Sequence, residues 1–260
     1  MNRLRPLVIA IGLLVLWHGF VWLTAAPPYM LPDPVRVASR LVTSAPQLAH
    51  HAGITAIEIG LGLVLGVVVG AGSALLMMAL PPIQPWLLPV LIVGQTLPVF
   101  ALAPLLTLWF GYGLASKVAM AVLIIYFPVT AALYDGLRRV EPGWLDLART
   151  LDGRPLLVLL RLRLPAALPS FGSGLRVAAA IAPIGAVVGE WVGASQGLGY
   201  LMLYANARVQ TDLMFAALVV LMAMALLLYF AIDAGLRALM PWSPDARPLR
   251  PATPSSGDVR

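Results

Sequence analysis

The 260-residue sequence predicts an all-α membrane protein with six transmembrane helices. Its residues are 60% hydrophobic and only 11% charged, whereas about a quarter of a soluble domain is normally charged. Mean hydropathy is +0.91, concentrated in runs near the roughly 20 residues that a helix needs to cross about 30 Å of hydrocarbon. Most of the 17 basic residues lie between these runs, so a pI near 10.2 reads as membrane topology rather than nucleic-acid binding. Cysteine is absent, which excludes disulfides, thiolate nucleophiles and Cys-ligated metals.

The first span is expected over about 7–26, after the basic start Met1 to Arg5. It is long for a signal sequence, and Trp17, Trp22 and Pro27-Pro28 make no small-residue cleavage site, so a retained helix is expected. A short amphipathic helix follows Leu31-Pro32-Asp33-Pro34, with Val35, Val37, Ala38, Leu41 and Val42 as its apolar stripe. The second span, 54–80, stops at Pro81-Pro82. The third, 86–110, contains Pro89, Pro98 and Pro104, which predict a kinked and packed helix. The fourth covers 118–134, the fifth 175–194 and the sixth 213–236, all in one transmembrane domain over 1–240. A Pro/Ser-rich tail, 241–260, is expected to be disordered and cytoplasmic.

Between the fourth and fifth spans, residues 135–174 form the one large polar excursion; seven arginines fall between Asp135 and Arg176. An even number of crossings places both termini on one side. That side then holds thirteen of the seventeen basic residues, leaving Arg36, Arg40, Lys117 and Arg208 opposite. The asymmetry predicts a multi-pass membrane protein with both termini and the arginine-rich loop cytoplasmic.

Two glycine series recur every four residues: Gly62, Gly66 and Gly70, then Gly185, Gly189 and Gly193. Each lies on one helix face and predicts close helix packing. Glu58 and Glu190 are the acids well inside apolar sequence, so they must face protein, water or the interface. With Pro183 they are candidates for a translocation path, against a structural pairing. His18, His50 and His51 have no metal-ligand spacing, so no metal site is expected and the histidines read as surface groups.

Pro142 suits a first helical turn, and Trp144, Leu147, Ala148 and Leu151 then give a short helix an apolar face before Asp152-Gly153-Arg154-Pro155 turns the chain. Such a helix can seat in a partner or lie on the membrane. Asp146-Leu147-Ala148, with Asp152 further on and then Leu162-Arg163-Leu164-Pro165, resembles the EAA loop of bacterial ABC importer permeases in every spacing. Asp146 falls on the motif's acid, Leu147 and Ala148 on its alanine pair, Asp152 on its glycine, Leu162 on its isoleucine, and Leu164-Pro165 on its closing pair. Leu147 is larger than alanine, and Asp152 lacks glycine's freedom at positive φ. Gly94 to Pro98, Gly189-Glu190-Trp191 and Gly197 to Leu201 resemble the branch that handles nitrate, sulfonate, taurine and thiamine-precursor pyrimidines. Pro27-Pro28-Tyr29, Val99 to Pro104 and Asn206 to Asp212 are most similar to hydroxymethylpyrimidine and related thiamine-precursor permeases.

The resemblance implies a type I importer permease fold with a cytoplasmic coupling helix that docks through Asp146, Leu147, Ala148, Asp152, Leu162, Leu164 and Pro165. It implies two ATPase subunits carrying ATP and Mg, a second permease copy, most simply a homodimer, and an external substrate-binding protein. No catalytic residue is expected in this chain: Lys117, its one lysine, follows no Walker A glycines. A sulfonate, taurine or nitrate importer of the same branch, an ion-coupled secondary transporter and a non-transporting scaffold are the competing readings.

Overall fold

Proline and capping residues set many of the boundaries in the structure, a computed structural model that describes residues 5–242. Its helices are α1 (Arg5–Thr24), α2 (Pro34–Thr43), α3 (Ala45–Ala79), α4 (Gln84–Thr96), α5 (Val99–Phe110), α6 (Leu114–Arg138), α7 (Pro142–Thr150), α8 (Pro155–Val158), α9 (Leu164–Trp191), α10 (Leu198–Ala207) and α11 (Thr211–Leu239). Asp33 caps α2: its carboxylate accepts the Val35 N–H at 2.8 Å, and Pro34, with no N–H to satisfy, is the first helical residue. That backbone bond holds the Asp33 carboxyl below the ordinary carboxylate range.

Six full spans are not what forms. Four helices among the described residues are long and apolar enough to cross: Ala45–Ala79, Leu114–Arg138, Pro155–Trp191 and Thr211–Leu239. A fifth crossing exists if a bent pair counts as one span. That pair replaces the expected third span, Pro81–Thr96 meeting Val99–Phe110 at 108°. The break has a local cause, because Pro98 offers no N–H and drives Leu97 to extended backbone at φ −70°, ψ 128°. The first expected span is not among the four. It forms the 20-residue helix α1 (Arg5–Thr24), whose apolar stretch Val8–Thr24 is shorter than those four. With the count of six goes the even-number argument for both termini on one side. The tail expected beyond Trp242 lies outside the described residues.

The bundle is organised around α6, which lies between α3 and α9. Gly62, Gly66 and Gly70 of α3 meet Ala121, Ile125 and Thr130 of α6, and Gly185 and Gly189 of α9 meet Ala121 and Lys117. A Cβ added at Gly62 would overlap the Ala121 methyl, and one at Gly185 would sit 2.8 Å from the Ala121 Cα. Small residues thus let three backbones approach closely around a core of Ile59, Ile125, Val129, Ala178 and Ala182. A second core joins α2, α10 and α11 through Val37, Leu198, Leu201, Leu213 and Ala217.

Because α9 starts at Leu164, Arg176 is inside a helix rather than in the polar loop with which it was counted. Its Nε lies 2.7 Å from Asp233 Oδ1 on α11, and Arg237 reaches Asp233 Oδ2 at 2.7 Å. This arrangement pairs the two helices where an isolated Asp233 would be costly.

Candidate functional site

Two assemblies of polar residues stand out, one at each end of α9. The first is the hairpin formed by α7, α8 and the turn Leu159–Arg163. Helix α7 closes with the Asp152 N–H donating to Arg149 O (3.1 Å) and the Gly153 N–H to Ala148 O (2.9 Å), while Asp152 adopts φ +52°. These two bonds are a Schellman stop, whose left-handed residue is ordinarily glycine. Asp152 therefore adopts the conformation that the motif's glycine would supply. At the other end of the hairpin, Leu164 N–H bonds back to Leu159 O, a π-type step, and Pro165 follows with no N–H to offer.

Trp144, Leu147 and Leu151 share one face of α7 and are exposed by 57%, 49% and 73%. Ala148, at the edge of that face, lines a cavity of about 490 Å³ with Met78, Leu145, Gly153 and Arg163. Asp146 pairs with Arg149 at 2.9 Å in the open, a contact worth little by itself. The hairpin therefore presents an uncovered apolar ridge on a helix whose C-terminal end is fixed. Leu162 lies in the π turn, and Leu164 and Pro165 open α9.

The second assembly lies beside the C-terminal end of α9 and brings Glu58 and Glu190 together with residues of α3, α6 and α10. Glu190 is 1% exposed; its Oε1 accepts from Thr55 Oγ1 at 2.6 Å, and its Oε2 accepts the backbone N–H groups of Gly199 and, at 3.3 Å, Tyr200. Leu198 N–H donates to Thr55 Oγ1 at 2.9 Å, and Gly197 N–H to His51 Nδ1 at 3.1 Å. Glu58 neighbours Glu190, is equally buried, and places Oε1 3.5 Å from Lys117 Nζ. Its Oε2 has no hydrogen-bond partner. Pro183 lies further back along α9, buried, beside an apolar groove of about 410 Å³ that includes Phe100 and Trp191.

His51, expected at the surface, is buried, because it faces α10 rather than water. Sequence reading also missed Thr55 and the Lys117–Glu58 pair. One signal was available: a lone lysine at the start of an apolar run needs a counter-charge, and Glu58 and Glu190 were the acids at hand. Among the described residues, no group of three or more His, Cys, Asp or Glu could hold a metal ion.

Residues 62–242, well over half the chain, match the family model "Binding-protein-dependent transport system inner membrane component". The chain belongs to that family. The permease is 57% identical over 230 residues to a probable ABC transporter permease protein of Haemophilus influenzae, covering 88% of this chain and 94% of that one. It is 36% identical over 242 residues to the formylaminopyrimidine transport permease protein ThiX of Halalkalibacterium halodurans, covering 93% and 96%. Its fold is similar to that in an inward-facing structure of the MetNI methionine ABC transporter, with a TM-score of 0.59 at 20% identity over 77% of this chain and 96% of that one. This is therefore a multi-pass membrane permease subunit of an ABC importer, and family and fold are those of a component without an ATPase site of its own.

Proposed function

We propose that this permease carries a thiamine-precursor pyrimidine across the membrane, driven through the 142–165 hairpin by two separate ATPase subunits that hold ATP and Mg. In this reading the hairpin is cytoplasmic, two permease copies form the path, and an external binding protein delivers the solute. Asp146, Leu147, Ala148, Asp152, Leu162, Leu164 and Pro165 form the ATPase-coupling element. The helices that carry Glu58, Pro183 and Glu190 flank the route. The observation that carries the coupling reading is the bare ridge of Trp144, Leu147 and Leu151 on a helix stopped by the Asp152-Gly153 turn. An apolar ridge of that kind loses free energy in water and regains it in a partner's groove. The arginines of residues 138–163, retained on one side whatever the number of spans, support a cytoplasmic position.

Leu147→Asp removes one apolar anchor and puts a charge in its place. It should weaken capture of the ATPase subunit by about tenfold or more, since burying a leucine side chain contributes roughly 1.5–3 kcal/mol. Co-purification in mild detergent reads this directly, and ATPase capture equal to wild type would remove Leu147 from the contact.

Likeness over nearly the whole length to a permease named for formylaminopyrimidine supports the substrate class. Proteoliposomes containing the permease, its ATPase and its binding protein should accumulate labelled formylaminopyrimidine on ATP addition and should not accumulate taurine. The opposite preference would transfer the permease to the sulfonate side of the branch. Uptake that follows an ion gradient without ATP would overturn the importer reading itself.

A further inference from the structure

The continuous helix Pro155–Trp191 is joined to a short helix at each end: α7 before it and α10 after it. At 37 residues this helix spans about 55 Å, enough to reach from one membrane face to the other. Beyond Trp191 the chain runs to α10 through a link with glycines at φ +152° (Gly193) and φ +109° (Gly197), conformations that glycine adopts without steric cost. Chain connectivity alone would therefore let α10 swing independently of α9.

Hydrogen bonding removes that freedom. A helix starts with four N–H groups that have no partner within it. Here the N–H groups of residues 197–200 all go to side chains outside α10: His51 and Thr55 of α3 and Glu190 of α9. The Glu190 carboxylate uses both oxygens, carries the charge that favours a helix N-terminus, and is shielded from water. It also occupies the place where a Cβ of Gly197 would lie, and a Cβ at Gly199 would come within 2.8 Å of Oε2. The two glycines and the carboxylate thus fit only as a set. Beyond the joint, α10 packs in the apolar core with α2, α11 and Leu48 of α3, whereas α9 packs in the core with α3 and α6; Met224 of α11 borders both. Glu190 is the polar joint between these two cores.

We infer that Glu190 is a positioning residue for transport: it locks α10 to the end of the helix that starts at the coupling hairpin, so that α10 follows α9 and gates the opposite face. This rests on the coupling reading of the hairpin. Thr55 completes the lock by bonding both Glu190 and the Leu198 N–H. Glu190 then serves the solute indirectly, by fixing the segment 193–207.

Hydrogen exchange on the permease–ATPase complex in nanodiscs tests the inference, with and without ATP and vanadate. Glu190→Ala should speed exchange of the Gly199 and Tyr200 amides by about tenfold or more, because their hydrogen bonds to a charged group are lost, and should loosen the 197 and 198 amides with them. Thr55→Val, close in shape to threonine, should do so less, and Glu190→Gln should be intermediate since one acceptor oxygen remains. ATP and vanadate should alter exchange over 193–207 in the wild type and fail to do so in Glu190→Ala. Labelled formylaminopyrimidine uptake per ATP hydrolysed should fall in the order Thr55→Val, Glu190→Gln, Glu190→Ala while hydrolysis persists. Unchanged exchange at 197–200 in both Glu190→Ala and Thr55→Val would overturn the lock. Faster exchange with a normal ratio of uptake to hydrolysis would overturn its role in transport. Failure of the wild type to retain any ATPase would instead overturn the coupling reading, and the exchange result would be read independently of it.

Discussion

Lys117→Met is expected to deplete folded permease sharply, and Glu58→Met in the same chain should restore it. The Lys117 ammonium lies 3.5 Å from Glu58 Oε1, with the two side chains exposed by 10% and 1%. Glu58 Oε2 already lacks a partner, and the Glu190 carboxyl is a neighbour rather than a counter-ion. Removing the ammonium breaks a buried pair, a loss of roughly 3–5 kcal/mol, whereas replacing both partners with apolar groups of similar size is often neutral. Methionine suits both positions because its flexible, unbranched chain fills the same length. Yield of monodisperse protein in detergent, followed by thermal unfolding, reads the difference. Lys117→Met as stable as wild type would show that the pair contributes nothing; a double variant no better than Lys117→Met would place the damage in packing rather than charge.

The contrast between the two assemblies explains what a sequence can disclose here. The hairpin was legible because everything it needs is local. Pro142 starts α7, the spacing of Trp144, Leu147 and Leu151 defines a face, and Asp152-Gly153 stops the helix within a dozen residues. Even the departure at Asp152 was readable, since aspartate is among the residues that tolerate φ +52°. The polar joint was not legible, because Thr55 and Glu190 are 135 residues apart and meet only after α3 and α9 have packed on α6. The glycine periods disclosed which faces of α3 and α9 are flat and not that both face the same helix. The number of spans failed on geometry that hydropathy does not see. Summed over 86–110 the sequence is apolar enough for a crossing, yet Leu97-Pro98 turns it by 108°. Likewise, Arg176 looked like part of a charged loop until α9, beginning at Leu164, carried it to Asp233.

The sharing of Ala121 by two helices makes Ala121→Leu the second large-effect substitution. Ala121 is fully buried at the crossing where Gly62 of α3 approaches from one side and Gly185 of α9 from the other. Neither neighbour has a side chain that could rotate away, so the added carbons can be accommodated only by moving a backbone. Backbone movement is itself resisted, because Gly66 against Ile125 and Gly189 against Lys117 hold the same two helices one turn along. Overpacking of a well-packed core typically costs about 1–3 kcal/mol, and displacement on two sides of α6 places this site at the upper end. Ala115→Leu, an exposed position on the same helix, carries the same change in side chain and should stay within about 0.5 kcal/mol of wild type. Thermal unfolding of the two variants in one detergent isolates the crossing from any general effect of leucine on α6. Equal midpoints would mean that α3 and α9 do not close on Ala121 from both sides. A lower midpoint for Ala121→Leu alone would locate the resistance at the point where α9 must stay in register if motion at its hairpin end is to reach Glu190.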